Sequence, residues 1–489
     1  MSLSEKDLLA KVPTGLYIDG KWVSGHGAKP IRVEDPATGK TLIEIANANS
    51  DDALAALTAA DNAQEKWART PSRERAEILR RTFDLVKARS EEFAMLISLE
   101  MGKPLAEARG EVTYGNEFLR WFSEEAVRIT GRYNSNPEGT GKILIAKRPV
   151  GPAFAITPWN FPLAMATRKI GPALAAGCTI VVKPAELTPL TTLMLVKTFE
   201  EAGVPAGVIN VITTSTSSAT SGPLIADHRL RKITFTGSTT VGRKLIQQAS
   251  ERVLRTSMEL GGNAPFLVFE DADVDAAVAG AMLAKMRNIG QACTAANRFI
   301  VHESVAEEFG SKFAAKMGEL KLGRGVAEGT TCGPVINQDA QDNMERLVAA
   351  TISEGGNVLV GGDSLEGDGY FFKPTVLDNV SADSTICKEE IFGPIAPIVR
   401  FKNEEDAVRL ANDTEYGLVS YAYTNDAKRQ LRLVETLDTG MTGINSGLVS
   451  NAAAPFGGTK ASGMGREGGA EGIDEYLEVK YAFIPDPFA

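Results

Sequence analysis

Short apolar runs alternate with helix-like segments through the middle of the chain, and this alternation constrains the fold more than any other feature. Residues 179–182, 208–212 and 232–236 have the character of buried strands, and a helix-like segment at residues 193–201 ends at Gly203. Strands separated by helices of this length form βαβ units, in which the strands run parallel. The sequence therefore predicts an α/β fold with a doubly wound, mostly parallel sheet.

The segments on either side of this region have different patterns. A strand pair is predicted around the turn Asp19-Gly20, and helices are predicted over most of residues 51–125, starting at Asn49 and Ser50. A second α/β region is predicted from Gly261 onward. We expect an exposed strand at residues 143–148, and its partner is predicted at residues 476–484 near the end of the chain.

Length and charge narrow the classes of function. With 489 residues, of which 43% are hydrophobic and 23% charged, the chain is expected to form two or three domains. A net charge of −10 disfavours nucleic acid and anionic membranes as partners. The four cysteines form no CxxC pair, so we expect neither a disulfide framework nor a metal site. No leader-like or membrane-spanning run is evident, and a cytoplasmic location is expected.

Cys293 is the first candidate for a catalytic residue. It lies among small residues between a helix-like run that begins at Asp273 and a strand-like run at residues 299–302, a position from which catalytic side chains often project. A lone cysteine is also compatible with a small buried apolar residue. Since a free thiol is mostly protonated near pH 7, a nucleophilic role requires a base and an oxyanion donor elsewhere in the chain.

Two other stretches provide these groups. Glu259 stands at a predicted strand end beside Gly261 and Gly262, and Asn160 lies in a proline-flanked turn at residues 157–162. A carboxylate suits a general base, and an amide suits an oxyanion donor. Together with Cys293 they form a candidate catalytic set.

A nucleotide site is indicated by two strand ends. The stretch 237–242 follows the predicted strand 232–236 and opens a helix, so its main-chain N–H groups can face a pyrophosphate. Lys183 and Glu186 follow the strand 179–182, where ligands bind in open α/β sheets. A carboxylate at Glu186 repels a 2′-phosphate, which favours NAD over NADP, although the polar run 213–218 can host that phosphate.

Five motifs in order along the chain resemble those of the aldehyde dehydrogenase superfamily. They are PWNFP at 158–162, MELGG at 258–262, GQAC at 290–293, EEIFGP at 389–394 and PFGG at 455–458. The resemblance implies a Rossmann-like cofactor domain (1–130 and 150–260), an α/β catalytic domain (261–461) and a small oligomerisation arm (131–149 and 476–486). It also implies a homodimer or homotetramer.

The same resemblance implies a role for each site residue. Cys293 would attack an aldehyde, Asn160 would hold the oxyanion and Glu259 would activate water to hydrolyse the thioester. NAD or NADP is the implied cofactor. Its implied contacts are Thr157, Trp159, Lys183, Glu186, Gly237, Ser238, Gly242, Leu260, Glu390 and Phe392. Glu467 matches a second family carboxylate sometimes assigned to proton relay.

Two arginines suggest the substrate class. Arg168 and Arg287 can aim guanidinium groups into a substrate tunnel, which favours an aldehyde with a distal carboxylate. Each arginine alone can equally pair with a surface carboxylate. The pair, with Ser450, resembles the succinate-semialdehyde branch of the family, and Phe456 is a further expected substrate contact. Glutarate semialdehyde and glycolaldehyde remain alternative substrates.

One position departs from that branch. Several of its members carry a cysteine two residues after the nucleophile and can form a redox disulfide, whereas this chain has Ala295 there. We expect no such local switch. A fold that has lost its chemistry, acting only in binding, and a cysteine esterase without cofactor are the rival classes of function. The catalytic set argues against the first, and the expected ribose contacts argue against the second.

Overall fold

The computed structural model describes residues 4–488, so the first three residues of the charged N-terminal segment lie outside the described part. The helices in chain order are α1 (Glu5–Leu9), α2 (Ser50–Arg69), α3 (Ser72–Ala88), α4 (Ser90–Met101), α5 (Leu105–Glu125), α6 (Ala164–Ala176), α7 (Leu190–Glu201), α8 (Ser217–Ala226), α9 (Thr239–Ser250), α10 (Val274–Met286), α11 (Ala306–Gly318), α12 (Gln338–Ser353), α13 (Thr385–Lys388), α14 (Glu404–Asn412), α15 (Ala427–Thr436) and α16 (Glu471–Asp474). A 3-10 turn, Arg287–Gly290, follows α10.

The strands are numbered in the same way. They are β1 (Leu16–Ile18), β2 (Lys21–Val23), β3 (Ile31–Asp35), β4 (Lys40–Ile45), β5 (Arg132–Ser135), β6 (Gly141–Pro149), β7 (Ala153–Ile156), β8 (Ile180–Lys183), β9 (Ile209–Val211), β10 (Lys232–Thr236), β11 (Arg255–Glu259), β12 (Ala264–Val268), β13 (Ala296–His302), β14 (Asn357–Val360), β15 (Thr375–Asp378), β16 (Ile395–Phe401), β17 (Tyr416–Gly417), β18 (Val419–Tyr423), β19 (Met441–Ile444), β20 (Thr459–Lys460), β21 (Gly463–Met464) and β22 (Leu477–Pro485).

The first large sheet has the order β2-β1-β9-β8-β7-β10-β11-β21. Its five inner strands, β7 to β11, run parallel, and β1, β2 and β21 add antiparallel strands at the edges. Since β7 comes first in sequence and has β8 on one side and β10 on the other, the chain winds outward in both directions from β7. The predicted doubly wound sheet is confirmed.

The second large sheet has the order β14-β15-β16-β13-β12-β18-β19, and all its pairs except β14 with β15 are parallel. Residues 260–263 join the carboxyl end of β11 to the amino end of β12. The carboxyl edge of the first sheet therefore meets the amino edge of the second, close to the segment that precedes β13. That segment contains Cys293.

A third sheet, β22-β6-β5, is built from the predicted arm and the end of the chain. β22 pairs antiparallel with β6 along its whole length, from Leu477 opposite Pro149 to Pro485 opposite Gly141. The predicted pairing of these two segments is therefore confirmed. The three domain boundaries and the role of this sheet in assembly stay predictions.

Local signals in the sequence explain several elements. Asp19 and Gly20 have φ of 51° and 73°, as a tight hairpin between β1 and β2 requires. Asn49 caps α2 in a capping box with Asp52, so this predicted helix start is confirmed.

Within residues 4–488 no helix combines the length and apolar character that crossing a membrane requires.

Candidate active site

A cavity of about 220 Å³ lies where the two large sheets meet. The predicted site residues that line it are Trp159, Asn160, Gly237, Ser238, Leu260, Cys293, Glu390 and Phe392. They come from loops after β7, β10 and β11, from the segment before β13 and from the segment before β16. The fold therefore places the candidate nucleophile, the candidate oxyanion donor and several predicted cofactor contacts around one space.

Cys293 is partly exposed to this cavity and otherwise enclosed by protein. Burial raises the pKa of its thiol to about 12; Glu390 and Glu259 add to this shift, while Arg168 and Arg287 oppose it. The group is thus a thiol at neutral pH. Over residues 4–488 its main-chain N–H donates to no other group of the chain, so it is available to an oxyanion.

The amide of Asn160 is fixed on one side only. Its Nδ2 donates to the carbonyl of Gln291 over 3.0 Å, and its Oδ1 is buried without a partner among the described residues. An amide nitrogen has two N–H bonds, and only one is used here. The second is the donor that the predicted oxyanion role requires.

Glu259 ends β11 but does not line the cavity. Both of its carboxyl oxygens are buried without partners in the described chain, and a Cβ at Gly457 would lie 2.9 Å from Oε1. Burial and the nearby charge of Glu467 raise the pKa of Glu259 well above its usual value. Its charged form is therefore disfavoured in this arrangement, and the side chain must turn towards the cavity to serve as a base.

Glu467 lies beside Glu259 and is held by two cations. Arg168 approaches it with 2.6 Å between Nε and Oε2, and the ammonium of Lys169 contacts the other oxygen. Burial disfavours the charge of Glu467, but Lys169 and Arg168 outweigh this effect and lower its pKa. The surroundings therefore shift the pKa values of these two neighbouring carboxyl groups in opposite directions.

The two predicted substrate arginines have different surroundings. Arg168 packs its guanidinium 3.9 Å from the ring centre of Phe456, and its buried Nη2 has no partner within residues 4–488. Arg287 is half-buried, donates to Ser450 Oγ over 3.1 Å and lies 5.0 Å from the ring centre of Phe161. Arg287 therefore has a hydroxyl as its hydrogen-bond partner, whereas Arg168 is already paired with a carboxylate.

The family model for the aldehyde dehydrogenase family matches residues 22–482. The chain belongs to the aldehyde dehydrogenase family. This confirms the resemblance indicated by the five motifs.

Relatives of this aldehyde dehydrogenase family member match it along nearly their whole length. It is 61% identical over 447 residues to a succinate-semialdehyde dehydrogenase of Paenarthrobacter nicotinovorans, covering 91% of this chain and 99% of that one. It is 46% identical over 468 residues to a glutarate-semialdehyde dehydrogenase of Pseudomonas putida, covering 96% of this chain and 97% of that one. A crystal structure described as an E. coli NADP dependent enzyme superposes with a TM-score of 0.96 at 45% identity, covering 99% of this chain and 100% of that one.

The predicted cofactor residues of this family member fall into two groups. Gly237 and Ser238 reach the cavity, where Ser238 caps α9. Four others lie outside the cavity lining. They are Gly242, which packs against Leu260, Thr157, whose N–H donates to the Lys183 carbonyl, the buried Lys183 itself and the exposed Glu186.

Three buried polar residues around this site were not predicted from the sequence to contribute to it. Lys169 follows Arg168 in α6, Lys285 donates to the Ala296 carbonyl, and Asn288 lies in the 3-10 turn. Burial lowers the pKa of Lys285 to about 7. A charged residue within an otherwise apolar helix was the available signal for the two lysines.

Proposed function

We propose that this protein is an NAD(P)-dependent aldehyde dehydrogenase that oxidises succinate semialdehyde to succinate. The observation that supports this most is one cavity shared by Cys293, Asn160 and Glu390, with Arg287, paired to Ser450, near enough to lower the pKa of Cys293. The relative with 61% identity carries the name of this activity. NAD is favoured over NADP because Glu186 follows β8.

The residues present fit a dinucleotide. The helix α9, capped by Ser238, presents its N-terminal N–H groups at the carboxyl edge of the first sheet. Lys183 is buried, and among residues 4–488 its ammonium makes one long contact of 3.4 Å, to the Pro184 carbonyl, which leaves donors for ribose hydroxyls. Glu390 uses one oxygen to accept from Gly262 N and leaves the other for a ribose.

The first chemical step is carried by Cys293. The Cys293 thiol first gives its proton to the Glu259 carboxylate turned towards the cavity, which passes it to solvent before the second step. The sulfur, now a thiolate, bonds to the aldehyde carbon and forms a thiohemiacetal. The carbonyl oxygen becomes negative and accepts the free N–H of Asn160 and the main-chain N–H of Cys293. A dinucleotide held by Lys183, Glu390 and the N-terminus of α9 would supply the hydride acceptor that conversion of the thiohemiacetal to a thioester requires.

The second step is hydrolysis. Glu259 takes a proton from a water molecule as that water attacks the thioester carbon, the C–S bond breaks, and the acid leaves with Cys293 restored as thiolate. The raised pKa of Glu259 makes its carboxylate a stronger base than an exposed one. Because its oxygens have no partners in the described chain, no hydrogen bond there holds the side chain in its present orientation.

The distal carboxylate of the substrate is assigned to Arg287 and Ser450, since the Nη2 of Arg168 is buried and its guanidinium is paired with Glu467. Glutarate semialdehyde is the second candidate, because a relative with 46% identity carries that name. It is longer by one methylene, a difference that apolar contacts discriminate by only about 10–200-fold.

The test is steady-state reduction of NAD and of NADP with succinate semialdehyde, glutarate semialdehyde and neutral butanal, using the wild type, Arg287→Ala and Cys293→Ala. We expect the wild type to turn over succinate semialdehyde efficiently. In Arg287→Ala, turnover of the two acidic aldehydes should fall much more than turnover of butanal, and Cys293→Ala should be inactive with every aldehyde. Better turnover of butanal would contradict the proposed substrate, and no reduction with any pair would contradict the proposed activity.

A further inference from the structure

The side chain of Asn288 links two main-chain carbonyls next to the candidate nucleophile. Its Nδ2 donates to the carbonyl of Asn160 over 3.0 Å and to that of Gln291 over 2.8 Å. The residue is fully buried, and its Oδ1 has no partner among the described residues. Since both neighbours are acceptors, only the amide nitrogen can face them, which fixes the orientation of this amide.

The oxyanion donor shares one of these acceptors. The carbonyl of Gln291 receives Nδ2 of Asn160 as well as Nδ2 of Asn288. The two N–H bonds of an amide nitrogen are coplanar at a fixed angle, so binding one of them fixes the direction of the other. The direction of the free N–H of Asn160 therefore depends on where the Gln291 carbonyl is held.

The main chain at Asn288 adopts a conformation that most residues avoid. Asn288, Ile289 and Gly290 have φ of 57°, 59° and 73°. Positive φ is unfavourable for a β-branched residue such as Ile289. The carboxylate of Glu107 accepts the N–H of Asn288 over 2.5 Å, and a Cβ at Gly290 would lie 2.1 Å from the carbonyl of Gly393. Surrounding structure thus imposes this turn, as occurs where geometry serves function.

We propose that Asn288 is a positioning residue for the oxyanion step: its amide holds the carbonyls of Asn160 and Gln291 together and thereby aims the free N–H of Asn160 into the cavity. This inference rests on the proposed function only in taking Cys293 as the nucleophile. Any acyl group that Cys293 attacks, from an ester as well as an aldehyde, develops the same negative oxygen.

Two variants separate the amide from the backbone. Asn288→Gly removes the amide and accepts positive φ readily, whereas Asn288→Ala removes the amide and keeps the backbone strain. Asn210→Ala is the matched control, because Asn210 is equally buried and its Nδ2 donates to the Gly207 carbonyl in the first sheet. Melting temperatures of all three variants report the structural cost separately from the kinetics.

Two reactions at Cys293 serve as readouts without cofactor. In hydrolysis of p-nitrophenyl acetate, the thiolate adds to the ester carbonyl, an oxyanion forms, and p-nitrophenolate leaves as the ester C–O bond breaks. In alkylation by iodoacetamide, the thiolate displaces iodide, and no oxyanion forms. Loss of oxyanion positioning should therefore affect only the first reaction.

We expect both Asn288 variants to lower ester kcat by about 10–100-fold, somewhat less than complete loss of an oxyanion donor. KM and the alkylation rate should stay within about twofold of wild type, the Ala variant should melt below the Gly variant, and Asn210→Ala should lose stability without this kinetic effect. If Asn288→Ala does not fold, Asn288→Gly carries the test alone.

An unchanged ester kcat in Asn288→Gly would overturn the inference. So would a fall in the alkylation rate as large as the fall in ester kcat. So would a wild type that hydrolyses no ester, since no oxyanion donor would then be at work. The proposed function fails separately, when the wild type hydrolyses the ester but reduces neither dinucleotide with any aldehyde.

Discussion

Arg168 and Glu467 form an ion pair in which only 1% and 6% of the two side chains is exposed. Breaking such a pair from one side leaves a buried charge that solvent cannot compensate. Arg287 differs, because its side chain is half-buried and its hydrogen-bond partner is the hydroxyl of Ser450. The two arginines that the sequence suggests as equivalent carboxylate ligands are therefore expected to respond differently to substitution.

Arg168→Gln should destabilise the protein by about 3 kcal/mol, the lower end for breaking a buried pair, because Lys169 still contacts Glu467. Turnover of acidic and neutral aldehydes should both fall, since Arg168 also opposes the raised pKa of Cys293. Urea unfolding and kcat/KM with succinate semialdehyde and butanal measure these effects. In Arg287→Gln, the control, kcat/KM for the acid should fall much more than that for butanal, because Arg287 opposes the raised pKa of Cys293 less than Arg168 does. Native stability with a purely acid-selective loss in Arg168→Gln would contradict this view.

The reactivity of Cys293 in the free enzyme should depend steeply on pH. With its pKa raised to about 12, the thiolate fraction and hence the alkylation rate by iodoacetamide should rise about tenfold per pH unit between about pH 7 and 10, with no plateau. Mass spectrometry of the peptide that contains Cys293 gives the rate, because Cys178, Cys332 and Cys387 are buried. A plateau between pH 7 and 8 would show that the thiolate is stabilised in the free enzyme.

The strands and the catalytic set could be predicted from local sequence, and the contacts that tune them could not. Buried strands are apolar runs, and Cys293, Asn160 and Glu259 each lie in a short motif. In contrast, Lys169 meets Glu467 across 298 positions, and Asn288 reaches Asn160 across 128. The partners of Asn288 are main-chain carbonyls, which every residue carries, so no residue type could mark them in advance.

Cofactor choice should depend on Glu186, which is exposed three residues after β8. In the alternative phosphate site at 213–218, the hydroxyls of Thr213 and Thr214 already donate to the carbonyls of Ala46 and Ala48. Glu186→Ser should therefore raise the NADP to NAD ratio of kcat/KM at least about tenfold, because it removes a charge that repels the 2′-phosphate. Glu366→Ser, at another exposed glutamate, is the control. An unchanged ratio in Glu186→Ser would place cofactor selection elsewhere.

Dinucleotide affinity should increase with pH through Glu390. Burial raises the pKa of this carboxyl to about 7, although the N–H of Gly262 favours its charged form. The carboxylate, a stronger acceptor for a ribose hydroxyl than the acid, therefore becomes the main form as pH rises from about 6 to 8. Since the raised pKa belongs to the free enzyme, NAD should bind up to about tenfold more tightly across this range.

Glu390→Gln tests this origin of the pH dependence. A neutral amide accepts a hydrogen bond at every pH, so NAD affinity in this variant should be flat between about pH 6 and 8 and about tenfold weaker than wild type at the upper end, consistent with the loss of a hydrogen bond to a charged group. Quenching of tryptophan fluorescence can report binding, because Trp159 lies in the cavity with Phe392. Glu186→Gln should keep the wild-type slope. The same slope in Glu390→Gln would assign the titration to another group, for which the buried Lys285, with its pKa lowered to about 7, is the nearest candidate.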